Sequence, residues 1–250
     1  MKIKFILFFL LLQLSSKLSA QSEPSATGES RKIEIGIDGG VHKTGFYDGR
    51  KSMYTFGKYK PFWTYTASAY FKTPTVKTFY AGLELEQVHV KSNLYYTKPY
   101  GYRTGYEYDA LFNLDYINLH LLFGSKLFSI KKITVSGTLS PYFGYLLGSQ
   151  AQGSETVSSS SEAYSDSLGI HTLYFREKQL ISGPETKKLR KVNIGWCFNL
   201  DVAVPLQGQF AIICRASYNL GIYSVINEDS FIGIRGYEFL TGIGYKLNKQ

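Results

Sequence analysis

From residue 31 onward, apolar and polar side chains trade places at every second position, the period of a strand half-buried in a sheet. In the last segment the odd positions are Tyr237, Phe239, Thr241, Ile243, Tyr245 and Leu247, and the even ones are Gly236, Glu238, Leu240, Gly242, Gly244 and Lys246. One face is greasy and aromatic. The other is small, polar or charged. The same split separates Ile33, Ile35, Ile37 and Val41 from Glu34, Gly36, Asp38 and His42. It separates Phe79, Ala81, Leu83 and Leu85 from Tyr80, Gly82, Glu84 and Glu86. Between Val192 and Val204 the greasy row takes the even numbers, with Ile194, Trp196, Phe198, Leu200 and Val202 against Asn193, Gly195, Cys197, Asn199 and Asp201.

Eight such segments lie near 32–43, 61–72, 76–90, 112–124, 132–148, 190–205, 209–223 and 235–247. The apolar face is odd-numbered in the first five and the eighth, and even-numbered in the sixth and seventh. Short connections alternate with long ones, the long ones at about 44–60, 91–111, 149–189 and 224–234. An even number of strands of about ten residues, with elaborate loops at one end only, is the pattern of an outer-membrane barrel. The predicted fold is therefore all-β, an eight-stranded antiparallel up-and-down transmembrane β-barrel over 32–247 with both termini on the periplasmic side. In hydrocarbon every backbone polar group needs a protein partner, so the sheet must close. A secreted, lipocalin-like ligand-binding barrel shares the period, with its apolar face turned inward. Small residues on the polar face suit a narrow interior, and Tyr and Phe near strand ends suit interfacial girdles, which favours the membrane.

Leu206-Gln207-Gly208 predicts a three-residue hairpin loop with Gly208 in the left-handed region. That register sets Val204 opposite Phe210, Val202 opposite Ile212 and Trp196 opposite Tyr218, with Asp201 diagonal to Arg215 on the inner face. Cys197 then points in and Cys214 out, which argues against a disulfide between them.

Composition narrows the class further. The 2 cysteines cannot build a disulfide framework or a four-cysteine metal site. A mean hydropathy just below zero excludes a polytopic helical membrane protein. Lys2 and Lys4 precede the apolar run Phe5 to Leu12, and small residues lead to Ala20, so 1–20 reads as a secretory signal peptide and 21–31 as a periplasmic N-terminal tail. Without Lys2, Lys4 and Lys17 the formal charge falls from +9 to about +6. That excess is spread along strands and loops, which favours an anionic lipid surface over nucleic acid.

The inward charges form the most informative polar set: Glu34, Asp38, Glu84, Glu86, Asp201, Arg215, Glu238 and Lys246. Unpaired buried charge is costly. The set therefore predicts a lumen filled with ion pairs, or a small pore lined by carboxylates. His42, His89, His120 and His171 share no metal-ligand spacing. His42 and Asp38 stand four apart on one inner face, where an interior hydrogen bond competes with an acid–base couple. The loop around Tyr95, Tyr96, Tyr100, Tyr102, Arg103 and Tyr106 offers rigid aromatic contact area for a partner. The serine-rich start of 149–189 reads as flexible, and its second half as an extension of neighbouring strands.

Several segments, in order, carry a resemblance. Asp115-Tyr-Ile-Asn-Leu-His-Leu-Leu-Phe-Gly124 leads through a turn to Ser140-Pro-Tyr-Phe-Gly-Tyr-Leu-Leu-Gly148, followed by Tyr218-Asn-Leu-Gly221 and Gly242-Ile-Gly-Tyr-Lys-Leu247. This order resembles the PorT-like outer-membrane β-barrel domain family across most of 31–247. The resemblance implies an eight-stranded barrel in the outer membrane, and some members are linked to protein secretion and gliding machinery. Gly242, Tyr245 and Leu247 also resemble the C-terminal insertion signal read by the barrel assembly machinery, here followed by Asn248-Lys249-Gln250.

The expected protein is a non-enzymatic envelope anchor or accessory with no catalytic residue, cofactor or metal. Its partners would be outer-membrane lipid, the assembly machinery during biogenesis and an envelope protein. A small-solute or ion pore is the runner-up, ahead of an outer-membrane hydrolase or acyltransferase.

Overall fold

The computed structural model describes residues 32–48, 56–75, 78–100, 104–165, 169–183, 189–223, 225 and 232–247. The expected signal peptide and tail, 1–31, lie outside them. The strands are β1 (Ile33–Asp48), β2 (Phe56–Pro74), β3 (Phe79–Tyr100), β4 (Thr104–Ile130), β5 (Ile133–Ser165), β6 (Gly169–Gly183), β7 (Val192–Pro205), β8 (Phe210–Gly221) and β9 (Ile232–Leu247). Eight of them close a ring in the order β1-β2-β3-β4-β5-β7-β8-β9. The seam joins the two ends of the chain, with β1 antiparallel to β9 from Ile33↔Leu247 to Asp48↔Ile232. The expected eight-stranded barrel is the observed one.

Its stagger can be followed residue by residue. Paired positions run from Lys126 through Ser136, Asp201, Arg215, Leu240, Gly40, Thr66 and Val88, and return to β4 at Tyr116. The path comes back ten residues from where it began, which tilts the strands by about 35–45° and leaves an interior just wide enough for side chains.

Face assignment follows the parity of the sequence. Leu121 is 45% exposed and its neighbour Leu122 is fully buried. The outward row includes Ile37, Phe71, Leu85, Leu119, Phe198, Ile212 and Ile243, all exposed. Odd numbers face outward along β1, the membrane stretches of β2 to β5, and β9, and even numbers along β7 and β8. Small residues on the inner face make room for tyrosines. A Cβ on Gly36 would come within 2.7 Å of Tyr70 Cε1, and one on Gly124 within 2.6 Å of Tyr80 Cε2.

Three expectations need correction. Residues 91–100 and 104–111 are strand rather than loop, because β3 and β4 pair without a break from Phe79↔Ser125 to Tyr100↔Thr104. Nor is the serine-rich stretch irregular. β5 runs on to Ser165, flanked by β4 and by an additional strand, β6, from Ala151↔Gly183 to Ser165↔Gly169. Ladders on both sides satisfy the backbone, so Ser158 to Ser161 need no apolar pattern to be strand. The β7–β8 register is also displaced: Asp201 lies directly opposite Arg215, Val202 opposite Cys214, Val204 opposite Ile212, and Trp196 opposite Leu220. Gly208 does adopt φ +73°, but the turn is longer, with Leu206 N–H donating to the Phe210 carbonyl at 2.8 Å. The displacement is two residues, an even shift that keeps each side chain on its face, so hydrophobic pattern alone cannot detect it.

The connections β2–β3, β4–β5 and β7–β8 lie at the end that carries Ile33 and Leu247, the periplasmic end of such a barrel. Toward the other end the sheet outgrows the membrane. A crossing takes about 9–11 residues, whereas β4 has 27 and β5 has 33. β3, β4, β5 and β6 therefore project as a ribbon on the outer side.

Candidate functional site: a filled lumen under a projecting ribbon

The lumen is layered. At the periplasmic end Tyr70, Leu122, Ala211 and Ile213 pack into a small apolar floor, with Ala203 against it. At the outer end a larger apolar plug gathers Phe46, Val88, Leu94, Phe112, Leu114 and Tyr116. Leu189 and Val225, from the connections above the barrel, and Ile232, the first residue of β9, complete it. Arg190 N–H donates to the Val225 carbonyl and Val225 N–H to Ile232, each at 2.8 Å, and these bonds hold the connections over the barrel mouth. Phe46 and Phe112 meet edge to face at 5.5 Å inside the plug.

Between floor and plug lies a charged belt. The parity that selects Glu84 and Asp38 for the interior places their carboxylates around Arg215. Arg215 Nε donates to Asp201 Oδ1 at 2.7 Å, and its Nη1 lies 2.5 Å from Glu84 Oε1 and 3.2 Å from Asp38 Oδ2. Lys72 Nζ reaches Asp201 Oδ2 at 2.9 Å. Ser68 Oγ contacts both Asp38 and Glu84, the latter at 2.6 Å. The Tyr70 ring lies under both cations, 4.6 Å from Lys72 Nζ and 5.5 Å from the Arg215 guanidinium carbon. Such contacts gain when water is excluded.

A second group surrounds Glu86. It takes His120 Nε2 and Asn118 Nδ2 on one oxygen, each at 3.0 Å, and Thr66 Oγ1 on the other at 3.1 Å. His120 Nδ1 meets Ser140 Oγ at 3.3 Å. Asn219 hydrogen-bonds Glu238. Above this layer sits a cavity of about 10 Å³, room for roughly one water, lined by Thr44, Val88, Tyr116, Asn118, Asn193 and Asn219 among others.

Of the interior charges expected from sequence, Asp38, Glu84, Asp201 and Arg215 come together in one cluster, and Glu86 and Glu238 lie on the plug side of it. Glu34 and Lys246 do not join it. They are backbone register partners across the β1–β9 seam near the floor, where Tyr70 OH donates to Glu34 at 3.3 Å. Lys72 and Ser68 are central and were not singled out, although both sit at inward, even-numbered positions of β2. His42 and Asp38 separate: His42 Nε2 meets Thr64 Oγ1 at 2.8 Å, while Asp38 turns to Arg215 and Ser68. The two cysteines are free, Cys197 buried inside and Cys214 exposed outside.

Of the tyrosine-rich set, Tyr95 is half-buried on β3, opposite Asp109. Tyr102 and Arg103 lie outside the described residues, as do the side chains of Tyr96, Tyr100, Tyr106 and His171. In the C-terminal signal, Tyr245 packs on Phe210 at 4.9 Å, Leu247 pairs with Ile33, and a Cβ on Gly242 would clash with the Cβ of Asp38. Residues 248–250 lie outside the described residues.

On the outer surface aromatic side chains ring the upper edge: Trp63, Tyr65, Tyr145, Trp196 and Tyr237. Tyr65 stacks on His89 at 5.5 Å, and His89 Nδ1 meets Asp115 Oδ1 at 2.6 Å.

A family model described as outer membrane protein beta-barrel domain matches residues 19–227. No curated protein matches the sequence. Similar solved structures include Neisserial surface protein A, at 8% identity and a TM-score of 0.45, covering 86% of this chain and 97% of that one. Outer membrane protein OprG from Pseudomonas aeruginosa is 12% identical with a TM-score of 0.44, over 88% of this chain and 98% of that one. The outer membrane protease OmpT from Escherichia coli is 10% identical with a TM-score of 0.43, over 90% and 100%.

Proposed function

Because the chain belongs to the outer membrane protein beta-barrel domain family, we propose that this outer-membrane barrel is a non-enzymatic, non-conducting anchor that presents its projecting ribbon to another envelope protein. The observation that carries this reading is the filled lumen. Ion pairs bridge its walls at the belt, and an apolar plug containing the fully buried Leu114 and Val225 caps them. A wall-to-wall salt bridge under an apolar plug argues against a path for hydrated ions. The material that exceeds the membrane span is the part free to meet a partner. The resemblance to PorT-like barrels supports protein secretion as the process served.

A photo-crosslinking residue placed at Phe175 or Leu180 on β6, both exposed, is expected to give a discrete adduct in intact outer membranes. The same residue at the lipid-facing Leu121 is expected to give none. Stepwise ion conductance by the purified protein in planar bilayers would overturn the reading.

A further inference from the structure

Four neighbouring strands each send one cation outward at or just above the upper aromatic girdle. They are Arg235 on β9, Lys43 on β1, Lys60 on β2 and Lys91 on β3. Lys43 sits level with two girdle residues, paired with Tyr237 on one side and Trp63 on the other. Arg235 pairs with Gly45 one step higher, its guanidinium carbon 5.0 Å from the Tyr47 ring. The ladder between β2 and β3 slips by one residue between Pro61 and Thr66, and there Phe62 receives two ammonium groups from different strands. Lys60 Nζ is 5.6 Å from the centre of that ring and Lys91 Nζ is 5.7 Å. One ring thus meets two ammonium groups, a concentration of like charge that attracts an anion.

Among the described side chains no carboxylate supplies that anion. β2 contains no acidic residue, and the acids whose side chains are described on β1, β3 and β9 (Glu34, Asp38, Glu84, Glu86 and Glu238) all belong to the inward rows. Asp115 on β4, the nearest outward carboxylate across the β3–β4 ladder, is engaged by His89. Among the described residues none of the four cations has a carboxylate partner. Their height decides which anion fits. Lys43 stands level with Trp63 and Tyr237 and Arg235 just outside them, where membrane-facing aromatics mark the headgroup level.

The geometry points to a phosphate site on the outer arc β9–β1–β2–β3, occupied by a phosphorylated glycolipid of the outer leaflet. The lipid's acyl chains lie along the apolar wall of Ile37, Val41 and Leu85, and its phosphates lie between Lys60 and Lys91 with Lys43 and Arg235 beside them. Phe62 and the girdle contact the lipid backbone. The site is independent of whether the ribbon binds a protein.

The test uses the full chain refolded into phosphatidylcholine nanodiscs containing lipid A or its dephosphorylated form, with bound lipid counted by native mass spectrometry. The wild type is expected to retain lipid A about tenfold better than the dephosphorylated form. The K60Q/K91Q and K43Q/R235Q variants are expected to lose that preference, while K126Q/K132Q, altered at the periplasmic end, keeps it. Heat-modifiable gel migration verifies that each variant is a closed barrel. Equal retention of both lipids by the wild type, or unchanged preference in K60Q/K91Q, overturns the site. Full competition by millimolar inorganic pyrophosphate also overturns it, because the occupant would then be a soluble anion.

Discussion

Lys72 on β2 and Asp201 on β7 stand on opposite walls of the barrel, and their charged groups meet at 2.9 Å. Counting round the ring, β2 and β7 are four strands apart in either direction, so this pair spans a diameter. Glu84 on β3 and Arg215 on β8 span another, at 2.5 Å. Two crossed diameters shut an eight-stranded lumen more firmly than pairs along one wall, because each tie braces strands that share no backbone hydrogen bond.

Conductance follows from these ties. The purified wild type is expected to give no resolvable single-channel steps in planar bilayers. A K72A/R215A variant still has its apolar plug, so it too should stay closed. Removing only the belt and seeing steady cation-selective current would show that the plug of Phe112, Leu114 and Val225 is not a seal.

Stability responds to the same cluster. Arg215 is 4% exposed and contacts three carboxylates, those of Asp38, Glu84 and Asp201. Replacing it with Met leaves uncompensated buried charge, a loss of about 3–5 kcal/mol. The measurement is urea unfolding in lipid vesicles. Adding D201N to R215M should recover part of the loss, because one of the stranded carboxylates becomes neutral. Strict additivity of the two single losses would show that the residues do not act as a unit.

The lipid face can be probed by depth along β4. An arginine at Leu121, in the middle of the outward row, should cost about 2–4 kcal/mol, and one at Leu127, next to the periplasmic turn, about 0–1 kcal/mol. Leu122→Ala tests the opposite face. Leu122 is fully buried in the floor, so truncation should cost about 2–5 kcal/mol. Vesicle-refolding titrations of the three variants check the order.

How far the sequence reveals this molecule depends on what each physical signal encodes. Face assignment was legible because a one-residue slip would expose an entire apolar row to the lumen. Strand number and seam followed from the same rule. Strand length was not legible above the membrane, since no lipid enforces alternation there. Tyr95 to Tyr100, Thr104 to Tyr108 and Ser158 to Ser161 read as loop on composition, yet they are held by backbone ladders. Lys72 was harder to read, because Ala67 and Ala69 make the outward row of β2 only weakly apolar. Its even number on β2 was the available signal. The pairing of Asp38 with Arg215 rather than with His42 depends on side chains meeting across the lumen, which no local spacing records.

The two cysteines give the sharpest check on orientation. Cys214 projects outward between the strands' apolar rows, 3.9 Å from Thr241 Oγ1. Cys197 is 2% exposed, and its thiol donates to Asn199 Oδ1 at 2.8 Å inside the barrel. They belong to strands in direct register, with Cys214 opposite Val202 and Cys197 opposite Asn219. A register slip of one residue would exchange their environments. In proteoliposomes an apolar maleimide is expected to modify Cys214 and spare Cys197. A charged, membrane-impermeant maleimide should modify neither until the barrel is unfolded, because one thiol is covered by lipid and the other by the filled lumen. Rapid reaction of Cys197 with the charged reagent would mean that water fills the interior. Modification of Cys197 by the apolar reagent ahead of Cys214 would mean that the face turned to lipid is the opposite one.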